Sequence, residues 1–449
     1  MLALTVAILC AALAQIPTPP PPASGPADAG EAAPAPASVP TPAQKETPPV
    51  YEGLTPLRLA RIQRALQREK LDGWLFYDFR RSDEIAYRLL GLDPAGARSR
   101  RWYCLVPAQG QPRKLVHAIE PRALDGVPGA AATYSSWRTR DRELGALLRG
   151  VRRAAMNYSP RNEIPTVARV DGGTLELVRS MGPEIVSSAD LVAELESTLT
   201  PEELASQARA AELISADLEA VAQEAARRVR ENRPATERDL QEFARARWAE
   251  EGFDPEGWPG VAVDAHTADP HYSPPATGGA VAGRGSLLLL DFSARLAPGG
   301  IYADLTRVYF LGESVPAEIQ RIARSVFQAR DAAVELLRQR AESGRLPTGA
   351  EVDAAARNLI AKDGYADRFL HRTGHSIDHH GHGDGVNNDD FETRDTRRHL
   401  PDTCFSIEPG IYLAGRFGIR SEIDVCLPGG KVELRGGPGQ PVVPALLPQ

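Results

Sequence analysis

Leu287-Leu288-Leu289-Leu290-Asp291, then Pro298-Gly299-Gly300, then Ile301-Tyr302-Ala303-Asp304 is the stretch that decides how this chain folds. Four consecutive leucines make a strand buried on both faces. A carboxylate at the end of such a strand has lost its water, so it needs a donor or a cation. The Pro-Gly-Gly segment turns the chain, and the return run brings Asp304 beside Asp291 on one face of a hairpin. Two adjacent carboxylates repel unless a cation neutralises them or they share a proton.

The same logic recurs further along. Phe405-Ser406-Ile407-Glu408-Pro409-Gly410 and Ile419-Arg420-Ser421-Glu422-Ile423-Asp424-Val425 are strand-like runs around a turn that spans residues 415–418. A hairpin centred on Gly415 puts Glu408 opposite Glu422. The same register sets Cys404 opposite Cys426, where a disulfide would brace the hairpin. Between the two carboxylate pairs lies a histidine-rich run from His371 to His382. Two aspartates, two glutamates and a histidine offer hard oxygen ligands and one imidazole. That set suits two divalent ions of the manganese, cobalt or zinc kind better than a thiolate site. One isolated carboxylate pair is more often structural, but two pairs and a histidine cluster favour catalysis.

Several motifs carry a resemblance: Leu289-Leu290-Asp291, Asp304-Leu305-Thr306-Arg307, His371-Arg372-Thr373-Gly374-His375, Ser406-Ile407-Glu408-Pro409-Gly410-Ile411-Tyr412 and Arg420-Ser421-Glu422. Together they resemble the pita-bread family of methionine aminopeptidase, aminopeptidase P, prolidase and creatinase, above all its aminopeptidase P and prolidase branch. The likeness covers roughly residues 200–427. It implies an α/β (α+β) fold in which a catalytic domain of two pseudo-symmetric α/β halves follows a smaller creatinase-like domain. It further implies Asp291, Asp304, His375, Glu408 and Glu422 as ligands of two divalent ions, Mn²⁺ first, with Co²⁺ or Zn²⁺ as alternatives.

By the same resemblance His271 faces the substrate, and His382 binds the substrate carbonyl or stabilises the tetrahedral intermediate. His371 falls on a further family position, and Arg420 supports the last ligand. A water held between two cations loses its proton near neutral pH, and Glu408 is placed to pass that proton to the leaving amine. The implied substrates are short peptides with Xaa-Pro favoured, and the implied assembly is a homodimer. The chain departs from the family in two places. Asp291 and Asp304 are 13 positions apart, and we assign the extra residues to the turn. Asp378 stands where a small residue is usual, and His379 and His380 beside it read as solvated groups. His266 is a candidate for cleft lining, whereas His117 and His399 have no recognisable context. The alternatives are a metal-free C–N hydrolase and a non-catalytic binding protein of the same shape; a complete ligand set argues against both.

The rest of the chain frames this region. Thr200-Pro201-Glu202-Glu203 is a capping box with proline in the first turn, and it starts a helix that runs to about Arg230. That helix and a second long one from about Pro316 are each followed by a shorter helix, ending near Gly252 and Gly364, and each pair leads into a histidine-bearing stretch, so the chain reads as two similar halves. Residues 51–197 alternate helix and strand as a separate α/β domain, and residues 198–435 form the catalytic one. Residues 436–449, rich in Gly and Pro, read as a flexible tail.

Residues 1–14 form an uncharged apolar run ending Ala12-Leu13-Ala14, which fits an export signal and is too short to span a bilayer. That predicts a periplasmic or secreted protein. Residues 15–50 are Pro/Ala-rich and aromatic-free, the composition of a disordered tether. The net charge of −7 argues against a general nucleic-acid binder, which needs a basic excess.

Overall fold

The computed structural model describes residues 52–96 and 98–448. The expected leader and tether at residues 1–50 lie outside the described residues. The N-terminal half is a six-stranded mixed sheet in the order β4-β3-β2-β1-β5-β6. Its strands are β1 (Gly73–Asp78), β2 (Trp102–Pro107), β3 (Arg113–His117), β4 (Ala130–Tyr134), β5 (Arg153–Met156) and β6 (Glu184–Ser187). Helices α1 (Pro56–Arg68), α2 (Glu84–Leu90), α3 (Trp137–Leu147), α4 (Gly172–Ser180) and α5 (Ala189–Ser197) cover it. Strand β1 is buried throughout because it serves two cores. Trp74 and Phe76 pack with α1, α2 and α5 on one face, while Leu75 and Tyr77 pack with α3 and α4 on the other.

The C-terminal half repeats a helix-pair-and-sheet unit. The first unit has α6 (Pro201–Arg230), started by the Thr200–Glu203 capping box, and α7 (Glu237–Glu251), capped by Thr236. Short strands β7 (Ala235–Thr236) and β9 (Val281–Ala282) pair with each other. A three-stranded sheet joins β8 (Trp258–Val263), β10 (Leu287–Ala294) and β11 (Ala303–Phe310). The second unit has α8 (Ala317–Glu342) and α9 (Gly349–Lys362), the latter opened by a Thr348–Glu351 capping box. Its sheet joins β12 (Ser376–Ile377), β13 (Cys404–Ile407), β16 (Ile423–Cys426) and β17 (Glu433–Arg435), with β14 (Gly410–Leu413) and β15 (Phe417–Arg420) forming the hairpin tip.

The leucine run lies between the two units. Leu288 and Leu290 pack against α6 and α7, whereas Leu287 and Leu289 join a core shared with α8, α9, β13 and β16. Continuing that alternation, Asp291 faces the second unit, and in β11 so do Asp304 and Thr306. The core therefore aims the aspartates before any polar contact is made.

One expectation is corrected. Residues 436–448 are no loose tail. Val443 and Leu447 are buried, and the backbone of residues 444–447 bonds to Phe310 and Gly312 at the end of β11. The Gly and Pro content concealed two apolar anchors. Among the described residues no helix is long and apolar enough to cross a membrane.

Candidate active site

Strands β10 and β11 pair with Asp291 opposite Thr306 and Ser293 opposite Asp304. The two aspartates are thus diagonal neighbours on one face, not a directly opposed pair, and Thr306 stands beside both. The connection of residues 295–302 takes up the extra length that separates them. Across the cleft, one offset holds on both sides of a gap in the pairing, from Cys404↔Cys426 to Ile407↔Ile423 and again from Gly410↔Arg420 to Leu413↔Phe417. Glu408 and Glu422 fall in that gap, their N–H groups bonded to the Thr373 and Thr306 carbonyls, and Cys404 and Cys426 are disulfide-bonded.

His375 is delivered by a segment pinned from behind. Asp353 of α9 accepts from the Thr373 backbone N–H at 3.0 Å and from its hydroxyl at 2.7 Å. Arg357, one turn along, donates to the His371 carbonyl at 2.7 Å. Gly374 is required because a Cβ there would stand 1.9 Å from the Ser406 carbonyl oxygen. Ser406 then accepts from the His375 N–H at 3.0 Å and faces Glu408 at 3.2 Å, tying the histidine to the glutamate strand. His399 is a buried core group that bonds Asn388, which in turn holds the Ser406 carbonyl.

Asp304, His375 and Glu422 offer donor atoms all within 4.8 Å of one another, and all three are buried. Whether this cluster suits a cation can be tested on its own hydrogen bonds. The Thr306 hydroxyl lies 2.8 Å from Asp291 Oδ1 and 2.8 Å from Glu422 Oε2, yet it has one proton to give. Only one of those oxygens can take it; Asp291 keeps Arg420 as a second partner, whereas the Glu422 carboxylate has no other side-chain donor among the described residues. His375 Nδ1 donates to the Ser376 carbonyl at 3.2 Å, which leaves the Nε2 lone pair facing Glu408 Oε1 at 3.4 Å and Asp304 Oδ2 at 3.8 Å. Lone pairs confront lone pairs, an arrangement that a positive charge resolves. Burial, and then the neighbouring carboxylates, push Asp304 and Glu422 well above the usual carboxylate range. Glu408 is raised as well, by burial first, with Arg420 and Arg372 opposing. Burial keeps His375 neutral. The residues fit a divalent cation.

All nine side chains singled out from the sequence line one cavity of ≈ 710 Å³: His271, Asp291, Asp304, His371, His375, His382, Glu408, Arg420 and Glu422. Their situations differ. Arg420 is fully engaged, ion-paired with Asp291 and bonded to Thr306 Oγ1 at 3.1 Å and the Pro270 carbonyl at 3.2 Å. His371 has both ring nitrogens committed, Nδ1 to the Arg372 carbonyl and Nε2 to the Tyr412 hydroxyl, each at 2.7 Å. Its pKa is pushed down to about 3 by burial, with Arg420 next. His382 stacks its ring 3.9 Å from that of His375 and accepts from Arg372 at Nδ1, so Nε2 carries its proton. His271 is exposed at the rim.

Other expectations resolve by position. Asp378 is buried, accepts from the His380 backbone N–H and packs against Gly383, so it shapes a loop and leaves the cavity free. His379 and His380 are exposed, next to Glu203 and Asp378. His266 does not line the cavity; it contacts the buried Glu237 at 2.8 Å. Trp258, Leu370, Arg372 and Glu392 also line the cavity, and no role for them was read from the sequence. A hydrophobic pattern could not have flagged Trp258 or Leu370, which are 40% and 53% exposed.

Residues 207–427 match the model of metallopeptidase family M24. A probable dipeptidase PepE of Mycobacterium tuberculosis is 32% identical over a segment that is 41% of this chain and 45% of the relative. The Xaa-Pro dipeptidase of Lactobacillus helveticus is 32% identical over 36% and 40% of the two chains. The matched segment thus spans less than half the length of these curated relatives. In three dimensions the likeness is longer. The dipeptidase PepE of Mycobacterium ulcerans superposes over 86% of this chain and 97% of its own, with a TM-score of 0.61 at 24% identity. A prolidase from Thermococcus sibiricus gives 86%, 98% and 0.55 at 20% identity. These superpositions establish the fold. All five expected ligands, Asp291, Asp304, His375, Glu408 and Glu422, lie inside the matched segment, so residues 207–427 are a metallopeptidase family M24 domain, and the chain has the pita-bread fold of its solved relatives.

Proposed function

We propose that this protein is a dinuclear metal-dependent exopeptidase that cleaves short peptides at their N-terminal residue, with Xaa-Pro bonds favoured. The observation that carries the reading is the cluster of Asp304, His375 and Glu422, flanked by Asp291 and Glu408, in which buried lone pairs face one another across the floor of an open cavity. Asp291, Asp304, His375, Glu408 and Glu422 would hold two divalent ions, Mn²⁺ first and Co²⁺ or Zn²⁺ as alternatives. When bound, the ions supply an activated water and Lewis acidity toward a peptide carbonyl.

The protein's own groups divide the remaining work. Glu408, whose carboxylate borders the cavity, takes a proton as water attacks and returns it to the leaving nitrogen. His382 offers its Nε2–H to the carbonyl oxygen as that oxygen gains charge. Arg420 fixes Asp291, and His371, locked between the Arg372 carbonyl and the Tyr412 hydroxyl, fixes the wall rather than exchanging protons. Names among the relatives, Xaa-Pro dipeptidase and prolidase, support the proline preference. We further propose export directed by residues 1–14 and a homodimeric assembly.

The test is hydrolysis of an Xaa-Pro dipeptide and an Xaa-Pro-Yaa tripeptide by metal-stripped protein, with and without Mn²⁺, beside Glu408→Ala. The expected result is Mn²⁺-dependent cleavage that falls by about 1,000-fold or more in the variant. Two tightly bound ions with no cleavage of either peptide would refute the proline preference. Failure to bind any divalent ion would refute the metallopeptidase reading itself.

A further inference from the structure

Glu237, the first residue of α7, is fully buried and takes no part in the donor cluster. Each of its oxygens has two partners. Oε1 accepts from the Val263 N–H at 2.8 Å and lies 2.8 Å from His266 Nδ1, while Oε2 accepts from the Tyr272 hydroxyl at 2.6 Å and from the Ala280 N–H at 2.8 Å. The first turn of a helix is itself a favourable place for a negative charge. Gly279 makes room for the approach, since a Cβ there would stand 2.6 Å from Oε2.

All of these partners belong to one segment, residues 263–280, and that segment has little apolar anchorage. After the single short turn of Asp264–Ala268 it forms no helix or strand, and between residues 264 and 280 only Thr267 and Pro274 are buried. A stretch with so few buried side chains is positioned by its hydrogen bonds. Glu237 pins it at both ends, through Val263 and Ala280, and at His266 and Tyr272 between them, whose rings stack 4.2 Å apart. From the other side Arg420 donates to the Pro270 carbonyl at 3.2 Å, and the Gly418 N–H donates to the Thr267 hydroxyl at 2.8 Å. The residue caught between the Pro270 and Tyr272 pins is His271, exposed at the rim of the cavity.

We infer that Glu237 is a positioning residue, which through His266 and Tyr272 holds the segment carrying His271 in the arrangement that meets a substrate in the cavity. The inference rests on the exopeptidase reading, in which His271 faces the substrate. Without the pin the segment samples other arrangements, and apparent substrate affinity falls with the fraction of molecules in which His271 is in place. The donor cluster stands on β10, β11 and the strands across the cleft, so metal binding and the chemical step are left intact.

The test compares Mn²⁺-loaded full-length protein with Glu237→Gln, Tyr272→Phe, His271→Ala and the Glu237→Gln/His271→Ala pair on an Xaa-Pro dipeptide. Amide hydrogen exchange, with and without Mn²⁺, gives a readout that needs no turnover. In Glu237→Gln, KM should rise about 10-fold while kcat stays within about 3-fold of the wild type and Mn²⁺ affinity is unchanged. Tyr272→Phe removes one bond and leaves the carboxylate its other partners, so it should show the same split at about 3-fold, and it decides the matter if the glutamine variant does not fold. On the His271→Ala background the glutamine substitution should add no more than about 2-fold, because nothing remains for the pin to place. Exchange should quicken across residues 264–280 in both pin variants and stay unchanged in β10 and β11. Full additivity with His271→Ala, or Mn²⁺ affinity lost in step with KM, would show that Glu237 supports the fold at large and would overturn the inference. Unchanged exchange in residues 264–280 would overturn it as well. Absence of cleavage by the wild type, with exchange quickened in the variants, would refute the exopeptidase reading and leave the pin itself standing.

Discussion

Asp78 and Asp83 in the N-terminal half and Asp291, Asp304, Glu408 and Glu422 in the C-terminal half are all carboxylates drawn out of water, but they are provided for differently. Asp78 accepts from the backbone N–H groups of Arg81 and Asp83 and from the Tyr87 hydroxyl. Asp83 caps α2 through the Ala86 N–H at 3.0 Å and receives the Asn157 amide at 2.8 Å and 2.9 Å. Asn157 is oriented in turn by Trp74 Nε1 and the Ser188 hydroxyl. Every acceptor there looks at an N–H or O–H. In the second cluster one threonine proton is contested by Glu422 and by Asp291, which also has Arg420, and an imidazole lone pair points at two more carboxylates. A saturated buried carboxylate network holds a fold together, whereas an under-supplied one facing a cavity is a receptor for positive charge.

The widest test of that contrast is Glu422→Gln. If the cluster is a receptor, the variant loses at least about 100-fold in divalent-metal affinity. The melting temperature of its metal-free form is expected to match or exceed that of the metal-free wild type, because one repelling charge has gone. A variant clearly less stable than the wild type without metal would place this cluster in the same structural category as the N-terminal one. Titration of metal followed by differential scanning calorimetry reads both quantities on one sample.

The N-terminal network should answer to pH in its own way. Burial, only partly offset by the Ala86 N–H and the Asn157 amide, raises the Asp83 pKa to about 7. A carboxyl whose folded pKa lies above its unfolded value contributes stability that is complete below about pH 4 and is lost as pH rises through about 7. The loss is bounded at about 4 kcal/mol for a shift of about 3 units. Thermal unfolding of wild type and Asp83→Asn between pH 4 and pH 8 isolates it, since the difference between the two removes the titration of every other group. The wild type should lose ground to the variant as pH rises through neutrality. A difference that stays flat with pH would mean that Asp83 is ionised throughout.

How much of this was legible in the sequence follows from how far apart the contacting residues are. The leucine run, the hairpin turns, the capping box at Thr200 and the Cys404–Cys426 register are local patterns, and each was readable from spacing alone. The Asp83–Asn157 pair is separated by 74 positions and the Arg88–Asp384 pair by 296, with no periodicity to announce either. The packing of residues 436–448 was hidden for a different reason. Composition averages over a segment, and Val443 and Leu447 act singly.

The smallest expected effect joins the two regions. Arg88 of α2 is paired with Glu196 at the end of α5 and with Asp384, two residues beyond His382 in the cavity loop. Arg397 supports the same loop from below, donating to the Asp384 and Gly385 carbonyls. Without Arg88, two partly buried carboxylates would face each other with Asp378 nearby. Burial already raises both Glu196 and Asp384, and Arg88 is the principal opposing influence on each. Arg88→Ala should therefore cost about 1–3 kcal/mol near pH 8. The cost should shrink toward pH 5, where the two acids can take up protons. Because the loop carries His382, kcat should fall by a few-fold while metal affinity stays unchanged. A stability loss independent of pH would show that Arg88 acts through packing of its aliphatic stem, and a parallel loss of metal would show that the N-terminal half reaches the donor cluster itself and not only the loop beside it.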